Sequence, residues 1–163
     1  MSRAIVVMGV SGSGKTTVGL ALAERLGWRF FDADAYHPPD NIDKMARGRP
    51  LTDADRQPWL ETLRDLIRDH LAEDRPLVLA CSALKQHYRD TLGDVATGSV
   101  TFVYLQGSFD VIYQRMQQRD HFMKPNMLQS QFDTLQEPTD AIVVTIDRPV
   151  DEIVRKILSD LSR

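Results

Sequence analysis

The chain has 163 residues, 42% of them hydrophobic, and a formal net charge of -3, so we expect one domain spanning residues 1–163. The charge argues against nucleic acid or a membrane surface as partner, because both require a concentrated basic face. No leader and no apolar run of transmembrane length is recognisable, so a cytoplasmic protein with a small-molecule substrate is expected.

The first element is an apolar strand followed by a phosphate-binding loop and a helix. Residues 9–16 complete the pattern G-x-x-x-x-G-K-[ST], and apolar residues with helical spacing follow. In such a loop, backbone N–H groups and the helix dipole bind nucleotide phosphates. Lys15 should reach the β- and γ-phosphates, and the Thr16 hydroxyl should bind Mg²⁺. The predicted nucleotide-binding residues are Gly9, Val10, Ser11, Gly12, Ser13, Gly14, Lys15, Thr16 and Thr17.

A second strand is predicted over residues 28–34, and it ends in two carboxylates. Asp32 and Asp34 are two residues apart, so they share one face of a strand. In a parallel sheet, ligands bind at the carboxyl edge. The pair is a candidate for contacts to magnesium and a substrate hydroxyl, although a solvated strand end or a helix cap would show the same residues.

A short helix over residues 40–46 carries unusually varied polar side chains. His37, Asn41 and Lys44 could line one side of a pocket, or each could be ordinary surface. Thr52 and the residue three positions later form a capping box that starts a longer helix. Arg56, in the first turns of that helix, lies close in sequence to the proposed pocket.

The third strand, residues 76–81, is apolar on both faces, as in a central parallel strand. Ser82 is predicted to cap the helix that follows it. That helix carries Lys85 and Arg89 four residues apart on one face. This pair could be a solvated face or an anion clamp.

Two further strands, residues 100–105 and 141–146, complete a predicted α/β domain with a parallel sheet. Between them, a helix capped by Ser108 carries Arg115 and Arg119 one turn apart. A polar segment follows, so residues 119–136 could form a lid with arginines over a phosphoryl-transfer site, or a plain surface loop.

Several motifs together resemble the gluconate kinases of the shikimate-kinase-like P-loop group. These motifs are the phosphate loop, Phe31-Asp32-Ala33-Asp34 with His37-Pro38, Asn41-Ile42 with Lys44-Met45, Asp53 with Asp55-Arg56, Cys81-Ser82-Ala83-Leu84-Lys85, His121-Phe122, and Leu135-Gln136-Glu137-Pro138. The resemblance implies sheet order 2-3-1-4-5, a homodimer, and phosphorylation of D-gluconate at its 6-hydroxyl with ATP and Mg²⁺.

With that substrate, the residue types suggest individual roles. Asp34 is predicted to orient or deprotonate the attacking hydroxyl, and Asp32 to hold magnesium through water. Lys15, Arg115 and Arg119 would neutralise charge on the moving phosphoryl group. The predicted substrate-binding residues are Asp34, His37, Asn41, Lys44, Arg56, Lys85, Arg89 and His121.

Two rival hypotheses remain open at this point. The first is a kinase of the same scaffold that acts on shikimate or a nucleoside monophosphate. A nucleobase needs a stacking pocket, whereas residues 37–59 offer mainly charged and amide groups. The second is a non-catalytic nucleotide-binding module, which would not require the acidic pair or the lid arginines.

Overall fold

The computed structural model describes residues 3–95, 98–118 and 125–162. Its centre is a five-stranded parallel sheet in the order β2-β3-β1-β4-β5, which confirms the predicted fold class and strand order. The strands are β1 Ala4–Met8, β2 Arg29–Asp32, β3 Leu77–Ala80, β4 Val100–Gln106 and β5 Ile142–Thr145. The α-helices are α1 Lys15–Leu26, α2 Pro39–Ala46, α3 Asp53–Ala72, α4 Gln86–Leu92, α5 Phe109–Gln117, α6 Pro125–Thr134 and α7 Val150–Leu161.

The core is built around β1, which lies between β3 and β4. All five residues of β1 are buried, and so are the four of β3. Consecutive side chains of a strand point to opposite faces, so complete burial requires cover on both faces of the sheet. The carboxyl end of β1, where the phosphate loop begins, is therefore held by the most buried part of the molecule.

Helix α1 lies unusually close to β2 because Gly19 has no side chain. A Cβ atom at this position would come within 2.6 Å of the Phe30 ring. The close approach places the amino-terminal turn of α1 beside the end of β2. Thr16 and Asp32 are thereby brought together.

Two local predictions were wrong. β2 ends at Asp32, and Asp34 lies in a 3₁₀ helix, Ala33–Tyr36, so the two carboxylates do not share a strand face. Asp32 caps this helix by accepting a hydrogen bond from the Asp34 N–H. Ser82 does not cap α4, because Ala83 has a left-handed φ of 46° and the helix begins only at Gln86.

Other local predictions are confirmed. Thr52 and Asp55 form the capping box at the start of α3, with both reciprocal hydrogen bonds present. Ser108 caps α5 by accepting a hydrogen bond from the Val111 N–H. Of the predicted lid, residues 119–124 lie outside the described part of the chain, and the remainder is largely α6. None of the described helices combines the length and apolarity that a bilayer crossing requires.

Candidate active site

The phosphate loop connects β1 to α1, and two of its glycines pack closely against neighbouring residues. Gly9 has a φ of 150°, and a Cβ atom there would meet Ser13 Oγ at 2.7 Å and the Leu105 carbonyl at 3.0 Å. A Cβ atom on Gly12 would meet the Met116 side chain at 2.7 Å. Glycine is therefore required at both positions by space as well as by backbone conformation.

A small cavity of about 160 Å³ opens above this loop. Six of the nine predicted nucleotide-binding residues border it, together with both strand-end acids. Its lining is Ser11, Gly12, Gly14, Lys15, Thr16, Thr17, Asp32, Asp34 and Ala80. Of the other three, Val10 and Ser13 are buried in the base of the loop. Although Asp34 lies in a different element from the one predicted, the structure brings it to the same cavity as Asp32.

Lys15 is held over the loop by a hydrogen bond that its Nζ donates to the Val10 carbonyl, at 3.1 Å. Burial lowers the pKa of this lysine, while the charges of Asp34 and Asp32 act in the opposite direction. The ammonium group therefore lies against the Val10 carbonyl of the loop and is influenced by two carboxylates. A phosphate in this cavity would supply the anionic partner that the burial of Lys15 calls for.

Thr16 and Asp32 offer hard oxygen ligands of the kind that Mg²⁺ prefers. The Thr16 hydroxyl donates a hydrogen bond to Asp32 Oδ2 at 3.2 Å, and Asp32 Oδ1 accepts the Asp34 N–H at 3.0 Å. Within the described residues, no group of three or more His, Cys, Asp or Glu side chains could hold a metal ion. The donor set fits a magnesium ion whose remaining ligands are phosphate oxygens and water.

A second group of polar residues lies next to Asp34, around a stacked pair of rings. The His37 ring stacks on Trp59 at 4.2 Å, and Trp59 Nε1 donates a hydrogen bond to the Ala33 carbonyl. Asn41 Nδ2 lies 3.2 Å from His37 Nδ1 and donates to the Asp55 carbonyl. Because that nitrogen can only donate, Nδ1 of His37 is the acceptor and a neutral ring carries its proton on Nε2.

The environment of His37 favours this neutral form. Burial lowers the pKa of His37, and the Arg56 charge adds to that effect, while Asp34 opposes it. A neutral imidazole and an amide are suitable partners for hydroxyl groups. The structure places His37 beside Asn41, and both side chains also contact α3, His37 through Trp59 and Asn41 through the Asp55 carbonyl.

The predicted cations differ sharply in how far their charges are already paired. Lys44 binds Asp55 at 2.6 Å, and this contact, with the Thr52 N–H, lowers the pKa of Asp55 to about 2. Lys85 binds Asp53 at 2.9 Å, and that contact raises the lysine pKa. Both ammonium groups thus already have a carboxylate partner.

Arg56 is the exception in this group. Its Nη1 donates to the Leu51 carbonyl at 2.8 Å and to the Tyr88 hydroxyl at 3.1 Å, and its guanidinium lies over the Tyr88 ring. Among the described residues it forms no ion pair with a carboxylate. The Arg56 charge nevertheless lowers the pKa of His37, so the two side chains face a common region.

The prediction that Arg89 clamps an anion is not supported by its surroundings. The residue is only 3% exposed. It donates hydrogen bonds to the carbonyls of Ala83 and Gln136, both at 2.7 Å. Its guanidinium joins the loop after β3 to the chain that leaves α6, which is a structural role. The physical reason is that Ala83 turns the chain back, so Arg89 points into the protein.

The predicted transfer arginines are not assembled at the cavity in the described residues. Arg115 donates a hydrogen bond to the Ile146 carbonyl at the end of β5. Arg119 and His121 lie outside the described residues. The roles predicted for these three residues stay predictions.

The chain is similar to several known kinases. A family model described as shikimate kinase matches residues 11–162. A probable gluconokinase of Mus musculus is 48% identical over 96% of both chains, and the thermoresistant gluconokinase of Escherichia coli K12 is 45% identical over 97% of this chain and 93% of that one. The crystal structure of a gluconokinase from Sinorhizobium meliloti 1021 superposes with a TM-score of 0.88 at 49% identity, covering 98% of this chain and 91% of that one. The chain belongs to the gluconokinase family.

Three features of this gluconokinase-family site were not predicted. The stacking of His37 on Trp59 joins two elements that have no periodic relation in sequence. Asp53 accepts a hydrogen bond from the Tyr88 hydroxyl at 2.5 Å, across 35 residues. The Gln131 side chain reaches the phosphate loop from α6. The family-like motifs contain His37, Asp53, Trp59 and Tyr88, but they did not indicate these contacts, and nothing in the sequence pointed to Gln131.

Proposed function

We propose that this protein is an ATP-dependent gluconokinase that transfers the terminal phosphoryl group of ATP to the 6-hydroxyl of D-gluconate, giving 6-phospho-D-gluconate. The position of Asp34 carries the proposal. Its charge acts on Lys15 in the phosphate cavity and also on His37 in the neighbouring polar group. Asp34 therefore lies where a phosphoryl donor and a polyol acceptor would meet.

The two acids of this site are suited to different tasks. Both oxygens of Asp32 are engaged, one by Thr16 and one by the Asp34 N–H. The Asp34 carboxylate is exposed, and among the described residues it accepts no hydrogen bond. Asp34 is thus available to accept the proton of the 6-hydroxyl while that oxygen bonds to the γ-phosphorus and the bond from phosphorus to the departing ADP oxygen breaks.

Asp32 and Thr16 are the residues that would hold magnesium with the nucleotide. The ion would neutralise part of the negative charge on the phosphates. On the protein side, the Asp34 N–H fixes one oxygen of Asp32 and leaves the other directed at Thr16. Lys15, which lines the same cavity, contributes a second positive charge.

The gluconate carboxylate is best matched by Arg56. A carboxylate substrate requires a cation, and Lys44 and Lys85 already bind Asp55 and Asp53. Arg56 keeps its charge without such a partner and lies beside His37. Gluconate could then extend from Asp34, with hydroxyl groups near His37 and Asn41, to Arg56.

We expect Arg56→Met to raise the KM for gluconate by roughly tenfold to a hundredfold. A hydrogen-bonded charge pair is worth about 1.5–3 kcal/mol, and methionine keeps an unbranched apolar stem without the charge. The KM for ATP should change by less than about twofold. Steady-state kinetics with each substrate varied in turn measure the effect.

Arg68→Met is the matched control, because Arg68 lies on the same helix with an exposed side chain that pairs with the neighbouring acids Asp65 and Asp69. It should behave as wild type in both constants. An unchanged KM for gluconate in Arg56→Met would remove Arg56 from the binding site. Melting temperatures of both variants show whether the loss of the contact with Tyr88 unfolds the protein.

The function itself is tested by acceptor-dependent turnover. ADP release from ATP and magnesium should rise strongly with D-gluconate and remain at background with shikimate, glucose or nucleoside monophosphates. Equal turnover with shikimate, or none with gluconate, would contradict the proposal. Removing magnesium with a chelator should abolish the activity, and restoring the ion should recover it.

Three finer parts of the proposal rest on the family resemblance. They are a homodimeric assembly, a cytoplasmic location, and charge stabilisation by Arg115 and Arg119, with His121 near the substrate. Of these residues, Arg115 lies within the described chain, where it donates a hydrogen bond to the Ile146 carbonyl. The next residue of α5, Met116, packs against Gly12 of the phosphate loop.

A further inference from the structure

The phosphate loop receives a side chain from a distant helix. The Ser11 N–H donates a hydrogen bond to Gln131 Oε1 at 2.7 Å, and Gln131 Nε2 donates one to Ser11 Oγ at 3.0 Å. The two residues are 120 positions apart in the chain. One side-chain amide therefore contacts both the backbone N–H and the hydroxyl of the same loop residue.

The contact lies next to a loop position with a left-handed backbone conformation. Ser11 is followed by Gly12, whose φ of 82° belongs to a conformation that glycine adopts freely and that other residues rarely hold. The loop's own bonds hold its base: the Ser13 N–H and Lys15 Nζ both donate to the Val10 carbonyl. The Gln131 amide supports the loop from the outside, at the rim of the cavity.

A glutamine is well matched to this task. Its carbonyl accepts the backbone N–H, and its NH₂ group donates to the hydroxyl, so both bonds form without any charge. A charged side chain at the same place would lie beside the residues that bind phosphate. Helix α6 is itself anchored, because Leu128 is fully buried and Phe132 packs against Phe109 of α5.

We propose that Gln131 is a positioning residue, which fixes the Ser11 peptide and so holds the phosphate loop in the form that receives ATP. The proposal rests on the nucleotide-binding role of this loop in the proposed kinase. Gln131 acts through Ser11 and not on the reacting atoms. Its loss should therefore lower kcat/KM for ATP and leave the KM for gluconate unchanged.

Gln131→Met keeps the length of the side chain and removes both hydrogen bonds. We expect kcat/KM for ATP to fall by about tenfold to a hundredfold, as is usual when a loop that positions substrate loses its support. The KM for gluconate should stay within about twofold of wild type. The matched control is Gln129→Met, because Gln129 lies on the same helix, is exposed, and among the described residues its side chain bonds only to Asp133.

Gln131→Glu separates this role from a merely structural one. The carboxylate can still accept hydrogen bonds from the Ser11 N–H and hydroxyl, so the melting temperature should remain that of wild type. Its negative charge would nevertheless lie beside the bound triphosphate. Binding of a non-hydrolysable ATP analogue, measured by calorimetry, should weaken by about tenfold or more.

Distinct outcomes would overturn the proposal. One is a Gln131→Met variant whose kinetics match those of Gln129→Met; another is a loss of activity that merely follows a lowered melting temperature. Wild-type affinity of Gln131→Glu for the ATP analogue would also overturn it. If the wild-type protein failed to phosphorylate gluconate, the proposed function would fail, but calorimetry with the ATP analogue would still test Gln131.

Discussion

Asp34→Asn should lower kcat for gluconate phosphorylation by about 10²–10⁴-fold, the range usual for the loss of a general base. The amide keeps the size of the side chain but cannot accept the hydroxyl proton. Of the two acids in the cavity, only Asp34 has a carboxylate that is exposed and accepts no hydrogen bond from the described residues. Steady-state kinetics at saturating ATP and gluconate measure the change.

Nucleotide binding should survive this substitution, because Asp34 contributes no positive group to the phosphate cavity. Titration with a non-hydrolysable ATP analogue should give a dissociation constant within about threefold of wild type. Asp69→Asn, an equivalent change at an exposed position late in α3, should leave kcat unchanged. Normal turnover in Asp34→Asn would exclude this residue from the proton transfer.

Lys15→Met should reduce kcat/KM for ATP by about 10³-fold. Removing a single preorganised donor to developing charge typically costs 10²–10³ in rate, and Lys15 also serves ground-state binding of the phosphates. Without its ammonium group, the charges of Asp32 and Asp34 in this cavity would repel an incoming triphosphate with no lysine to offset them. Kinetics with ATP varied at fixed gluconate give the ratio.

The same substitution should leave the fold intact or raise its melting temperature. Burial lowers the pKa of Lys15, which means that the protein holds the charged form at a cost in free energy. Methionine fills the same space without that cost. Lys156→Met, at a partly buried pair with Asp160 on α7, is the kinetic control. Wild-type kcat/KM in Lys15→Met would refute the assigned role of the loop.

The fold was predictable because its signals are local and mutually consistent. The loop pattern, the apolar strands and the capping residues Thr52 and Ser108 each depend on a few neighbouring positions. Where prediction failed, a backbone detail intervened. At Ala83 the chain adopts a left-handed conformation that no glycine or asparagine announces, and the following helix starts later than Ser82 suggested.

The site was predictable only as a set of residue types. Asp32 and Asp34 could be selected from their place at the end of a strand, and His37 and Asn41 from the varied polar residues around a short helix. In the structure, both acids line one cavity, and His37 lies beside Asn41. The partners of the cations could not be foreseen, because Lys85 and Asp53 are 32 residues apart and meet through the packing of α3 against α4. Prediction therefore treated four cations as equivalent. In the described residues, Lys44 and Lys85 are paired with carboxylates and Arg89 is buried, whereas Arg56 forms no ion pair.

The buried guanidinium of Arg89 has a mechanical consequence for the kinase. It ties the turn at Ala83 to the backbone at Gln136, and Gln86 adds a further bond to Gln136. The turn at Ala83 and the chain after α6 are therefore held together by these hydrogen bonds. Removing the Arg89 guanidinium would leave the Ala83 and Gln136 carbonyls without this shared donor and would loosen the connection between the chain after β3 and the chain after α6.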